Sequence, residues 1–182
     1  MDRLKPELNQ IDDKKIREFT EYVLSQAPEY FWTVPSSSTG KYHPEQSNGD
    51  GGLIRHTRAV VYFAVKLCEV FSVTGKIRDC VISACLLHDV LKYGETKQAY
   101  TTKNHDYQGA VFVRRLGEQF GLELDHNNII SGCVAWHMGK WTDTTCRKKK
   151  QQFPDDYTAP QIITHLADVI SAQKNVSLVH IS

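Results

Sequence analysis

Apolar residues recur at three- and four-residue steps along nearly all of this 182-residue chain, and strand-like alternation is absent. That period puts apolar side chains on one helical face and commits them to burial against other helices. The pattern predicts an all-α fold, one domain over residues 1–182 built as a bundle of about six or more helices. Asp12-Asp13 opens a first helix, about 12–27, whose stripe is Ile16, Phe19, Val23 and Leu24. A Pro-, Ser- and Gly-rich connection follows over about 33–52, and an irregular stretch of that length points to function. Further helices are predicted over about Leu53–Phe71, Ile77–Leu91, Asp106–Phe120 and Asn127–Met138, with Gly121 and Gly139 as stops. A last helix starts after Thr158, where Pro160 falls in the first turn and its missing N–H costs little.

The most apolar of these segments, CVISACLL, runs straight into His88 and Asp89. An imidazole and a carboxylate buried without partners are costly, so they need a charge partner or a cation. Other helices drop similar donors from apolar faces. His56 follows the Gly51-Gly52 helix start, His105 begins one helix, His137 ends another, and Asp168 lies on the last. Helix ends can converge on one point. Six donors exceed what one catalytic cation needs, whereas two cations about 3.5–4 Å apart and bridged by Asp89 would use them all. Such an arrangement suits phosphoester cleavage, because a bound cation lowers the pKa of its water from about 16 toward 7. Imidazole-rich ligation suits Mn²⁺, Fe²⁺, Co²⁺, Ni²⁺ or Zn²⁺ better than Mg²⁺, so one or two divalent transition metal ions are expected.

The order His56, His88-Asp89, Asp168 resembles the HD-domain superfamily of metal-dependent phosphohydrolases, whose H…HD…D signature sits on an all-α fold. The resemblance covers roughly residues 32–172. It implies that these four residues bind metal, and that His105 and His137 complete a binuclear set. Many binuclear members carry paired histidines where this chain has His137 followed by Met138, a departure that bears on the second ion. Lys92 matches the HDxxK form of the motif, which implies a place near the substrate phosphate and a catalytic role beside Asp89. Pro35-Ser36, His43 and the Gly51–Thr57 run are also similar in order to the HD domain of bacterial 3′–5′ exoribonucleases. His43 is on that ground a candidate for substrate contact. Those enzymes carry an OB domain in front, for which the roughly 50 residues before His56 are too few. A nucleotide or short oligonucleotide is therefore the expected substrate. An exonuclease on single-stranded RNA or DNA is the first rival. A non-catalytic module that senses a nucleotide or partner protein is the second.

Composition narrows the partners. A net charge of +1 gives no global pull toward nucleic acid or membrane, so an anion must be held by local charge. No apolar run approaches a bilayer span, and the polar start lacks a signal-peptide core, which makes a cytoplasmic chain the expectation. Oligomeric state is open, a homo-oligomer included. Cys68, Cys80, Cys85 and Cys133 read as reduced core thiols, whereas Cys146 lies in a polar loop. The run Arg147–Lys150 reads first as a solvated loop and second as a grip on a polyphosphate. His165 shares a face with Asp168 and reads equally as support or as a core or surface residue, while His126 and His180 read as surface. Trp136 and Trp141 flank His137 and could wall a pocket or stack a base, with core packing the default for Trp136.

Overall fold

A helix that lacks a polar face has to be enclosed on every side, and one segment of this chain has that character. The computed structural model describes residues 2–38, 43–147 and 151–175. Among them are seven α-helices and no strand: α1 Lys5–Leu8, α2 Lys14–Ser25, α3 Gly52–Val70, α4 Gly75–Leu87, α5 His105–Phe120, α6 Leu124–Trp136 and α7 Ala159–Ser171. Every residue of α4 from Asp79 to Leu87 is buried. Helices α2, α3, α6 and α7 pack around it, while α5 lies against α6 and α2. The fold is all-α, as the periodicity requires.

Local chemistry explains the boundaries. Asp13 caps α2 by accepting from the backbone N–H groups of Lys15 and Ile16 at 2.9 and 3.0 Å. Asp79 then accepts from the N–H of Asp13 at 2.7 Å, which ties the start of α2 to α4. The Thr20 and Ser83 hydroxyls, 2.7 Å apart, join the same helices further along. Gly121 ends α5 in the left-handed region, and α7 opens with Pro160 in its first turn and the Gln161 side chain accepting from the N–H of Thr158.

Two expectations are corrected, and one feature is added. The helix expected to reach Leu91 stops at Leu87, and residues 88–94 continue as tight turns such as Lys92 N–H to Asp89 O (3.0 Å). Helix α6 begins at Leu124 rather than Asn127 and ends at Trp136 rather than Met138. The polar-looking start of the chain is part of the core: Leu4 and Ile11 have no exposed surface, and Glu7 pairs with Arg58 at 2.9 Å. Among the described residues no helix is long and apolar enough to cross a membrane.

The long connection is irregular but ordered where it is described. Ser36 donates twice to Ser47 O, through N–H at 3.1 Å and Oγ at 2.8 Å, and Leu53 N–H reaches Val34 O at 3.0 Å. This fold-back brings Ser47 O so close to α3 that a Cβ on Gly52 would lie 2.1 Å from it. Only glycine fits there, one turn before His56. Far from that corner, Phe19 is fully buried with its ring 5.8 Å from Phe120. Phe19→Ala is expected to destabilise the fold by about 3–5 kcal/mol, read as a lower urea midpoint.

Candidate metal centre

The turn that follows α4 sets His88 and Asp89 at the convergence of four other elements. Helix α3 supplies His56, the first residue of α5 is His105, His137 caps the end of α6, and α7 supplies Asp168. All six expected donors meet here. His56 Nε2 lies 3.0 Å from Asp168 Oδ1 and 3.3 Å from His88 Nε2, which in turn is 3.3 Å from Asp89 Oδ2. The other oxygen of the same carboxylate, Asp89 Oδ1, faces His105 Nε2 at 3.2 Å and His137 Nε2 at 3.7 Å. Two donor triads therefore share one carboxylate: His56, His88, Asp89 on one side and Asp89, His105, His137 on the other.

The outward nitrogens fix which inward atoms carry lone pairs. His88 Nδ1 is 2.7 Å from Cys85 O, His105 Nδ1 is 2.7 Å from Thr102 O, and His137 Nδ1 is 2.8 Å from Val134 O. A carbonyl can only accept, so each Nδ1 carries the hydrogen and each neutral ring turns a bare Nε2 inward. Ser171 spends its hydroxyl hydrogen on Asp168 O at 2.7 Å, so its oxygen accepts from His56 Nδ1 at 3.2 Å. Asp89 Oδ1 is consequently buried with no hydrogen to bond, facing two lone pairs. A divalent cation would satisfy all three atoms, and hydrogen bonds from the far ring nitrogen to a carbonyl are how metal-binding imidazoles are held.

The HD domain family model matches residues 53–173. The chain belongs to the HD-domain family. No curated protein and no solved structure matches it. HD domains bind divalent metals and are usually hydrolases, and the His/Asp cluster of this one fits such an ion.

Electrostatics in this HD domain follow from burial against charge. Burial alone would raise the Asp89 pKa, but the Lys92 ammonium, which donates to Oδ2 in a short contact, and His88 hold it well below the usual carboxylate range. Asp168 is also held low, burial being outweighed by its close contact with His56 and by the neighbouring imidazoles. Burial opposes charge on His88 too, yet the two carboxylates outweigh it and raise its pKa. Burial lowers His137 to about 3, helped by the charges of His88 and His105. His43 is also pushed down to about 3, by burial first and then by His56. Its ring meets that of His56 edge-on at 4.7 Å, and its buried Nδ1 has no partner.

A pocket of about 590 Å³ opens over the donors. Asp89, Lys92, His105, His137 and Asp168 line it together with Ser36, Ser37, His43, Met138, Trp141 and Gln173. The long connection before His56 thus contributes wall, as its length suggested.

Arg147 corrects the reading of the basic run. Its guanidinium is 4% exposed, pairs with the fully buried Asp106 at 2.7 Å and lies 4.2 Å from the Trp136 ring centroid. It is a structural cation, whereas Lys148–Lys150 and His180 lie outside the described residues. His165 is resolved toward support: it is buried, and its Nδ1 donates to His137 O at 2.7 Å. Gly139 makes room for it, with φ of +58° and a Cβ that would fall 2.3 Å from the imidazole. Ser171 and the Asp106–Arg147 pair were not foreseen; a buried Asp next to His105 is indistinguishable in sequence from a helix-start surface acid. Cys68, Cys80, Cys85 and Cys133 are buried free thiols as expected, and Cys146 is exposed.

Two outcomes follow from these contacts. Arg147→Met strands the buried Asp106 carboxylate and is expected to cost about 3–5 kcal/mol, most of it restored in the Asp106→Asn/Arg147→Met double variant, by chemical unfolding. Acid should also weaken the chelator-treated protein. His43 and His137 bind a proton near pH 6.5 when unfolded but only near 3 when folded, so stability is full above about 6.5 and falls as pH drops below it. His88 works in the opposite sense. Thermal melts from pH 7.5 to 4.5 are expected to show a shallower decline for His43→Asn than for the unaltered chain.

Proposed function

We propose that this chain is a metal-dependent phosphohydrolase that cleaves a phosphoester or phosphoanhydride of a nucleotide or short oligonucleotide. The observation that carries the reading is the Asp89 carboxylate, with one oxygen before each pair of imidazoles and Oδ1 buried without a hydrogen bond. His56, His88, Asp89 and Asp168 would hold one divalent ion, and Asp89, His105 and His137 a second. Ions bound there would supply an acidified water and a Lewis acid for a phosphoryl oxygen. Asp89 holds the two halves of the centre in register. Lys92 keeps two of its three ammonium hydrogens beyond the one given to Asp89, and it lines the pocket where a phosphate would enter. Those hydrogens would offset charge growing on the phosphate. His43, kept neutral by burial, offers an unpartnered ring nitrogen to the substrate.

An exonuclease needs a positive track for a strand, and the burial of Arg147 removes one member of the candidate track. That favours a small substrate.

The test joins elemental analysis of the purified protein to a turnover screen of nucleoside mono-, di- and triphosphates, cyclic nucleotides and short oligomers with several divalent ions. The expected result is about two ions per chain, about one in His137→Ala, and no turnover in Asp89→Ala or His88→Ala at unchanged helical circular dichroism. Undiminished turnover by chelator-stripped protein overturns the proposal.

A further inference from the structure

The three tryptophans have unlike surroundings. Trp136 is buried beneath the Arg147 guanidinium and against Tyr157, and Trp32 packs on the core, whereas Trp141 remains 58% exposed at the pocket mouth. An exposed indole is a large apolar surface that folding has not used. Trp141 is nonetheless held in place. It closes the single 3-10 turn Gly139–Trp141, whose Gly139 is wedged against His165. Beyond it, Arg147 pins the returning loop by donating to Asp106 at 2.7 Å and to Asp143 O at 3.1 Å. The Lys140 ammonium sits over one face of the indole, 4.7 Å from its centroid, which steadies the ring and leaves the opposite face for a ligand. The loop is thus fixed at both ends around one solvent-facing aromatic.

The pocket behind it is larger than a phosphoryl group requires and falls within the usual range of about 300–1,000 Å³ for organic ligands. Its lining mixes two chemistries: Asp89, Lys92 and Asp168 bring charge, and Met138, Val169 and Trp141 bring apolar surface. Gln173 also lines it and gives an amide hydrogen to Val169 O at 3.0 Å, leaving its carbonyl oxygen to accept from a ligand edge. A flat ring with hydrogen-bonding edges, joined to a phosphate, matches that mixture of surfaces.

We propose that Trp141 is the stacking platform for the nucleobase of the substrate and so the residue that selects nucleotides over other phosphate esters. The assignment rests on the hydrolase reading above and extends it to the part of the substrate that does not react. Stacking on a fixed indole acts on binding and leaves the reacting phosphate where Lys92 and the donors hold it.

The test measures hydrolysis of nucleoside 5′-monophosphates and of ribose 5-phosphate by the Mn²⁺-loaded protein and its Trp141→Ala and Trp141→Phe variants. Calorimetric titration of the chelator-treated proteins with the same compounds runs beside it. In Trp141→Ala the nucleotide KM is expected to rise about ten- to a hundredfold with kcat largely kept, while Trp141→Phe stays near the parent. The calorimetric Kd ratio is expected to match, and the constants for ribose 5-phosphate to stay unmoved. Equal affinity of the parent for nucleotide and ribose 5-phosphate, or an equal loss of both in Trp141→Ala, overturns the assignment. Absence of turnover here and throughout the wider screen above sinks the hydrolase reading instead, and the calorimetric ratio alone then decides for or against Trp141.

Discussion

A carboxylate buried at the exit of the most enclosed helix is the constraint that organises this molecule. Isolated in a low-dielectric interior, the Asp89 charge would be untenable. It persists because Lys92 neutralises it from the pocket side and four imidazoles surround its two oxygens. Those rings come from α3, the turn after α4, the start of α5 and the end of α6, so the packing of these helices on one another also assembles the charge environment. Core and site are in this sense one construction.

The same logic shows what the amino-acid order revealed and what it hid. Donors that interrupt apolar helical stripes were visible, because a polar residue on a buried face needs a reason to be there; His56, His88, Asp89 and Asp168 all announced themselves in this way. His105 and His137 were visible by position at helix ends. Arg147 was not, since a cation followed by three lysines looks solvated, and only the fold brings Asp106 beneath it. The amino terminus gave no signal for a related reason. Leu4, Leu8 and Ile11 are too widely spread among charged neighbours to register as a stripe, yet all three are buried. Periodicity reports regular helices well and reports short turns with isolated anchors poorly. The exit from α4 was misjudged because apolar Val90 and Leu91 extend the helical pattern into turns that bury them without continuing the helix.

Segments remote in sequence complete the pocket. The connection before α3 supplies serines and His43, the turn after α6 supplies Trp141, and the end of α7 supplies Gln173. These walls are pinned by specific contacts, namely Ser36 to Ser47, Gly139 against His165, and Arg147 to Asp106. A ligand would therefore meet a surface whose ordering entropy has been settled in folding, a condition that favours affinity.

Three of the four inward-facing rings take their bearing from a carbonyl three residues earlier in their own turn: Cys85 for His88, Thr102 for His105, Val134 for His137. Aim is thus encoded locally, whereas the gaps between the rings are set by how the helices settle on one another. Substitutions in the distant interior would leave every nitrogen pointed as before and alter only the size of the cage. For an ion held there, drift in the hydrophobic packing of such a bundle would then retune which ionic radius fits, without touching a single one of the donor residues.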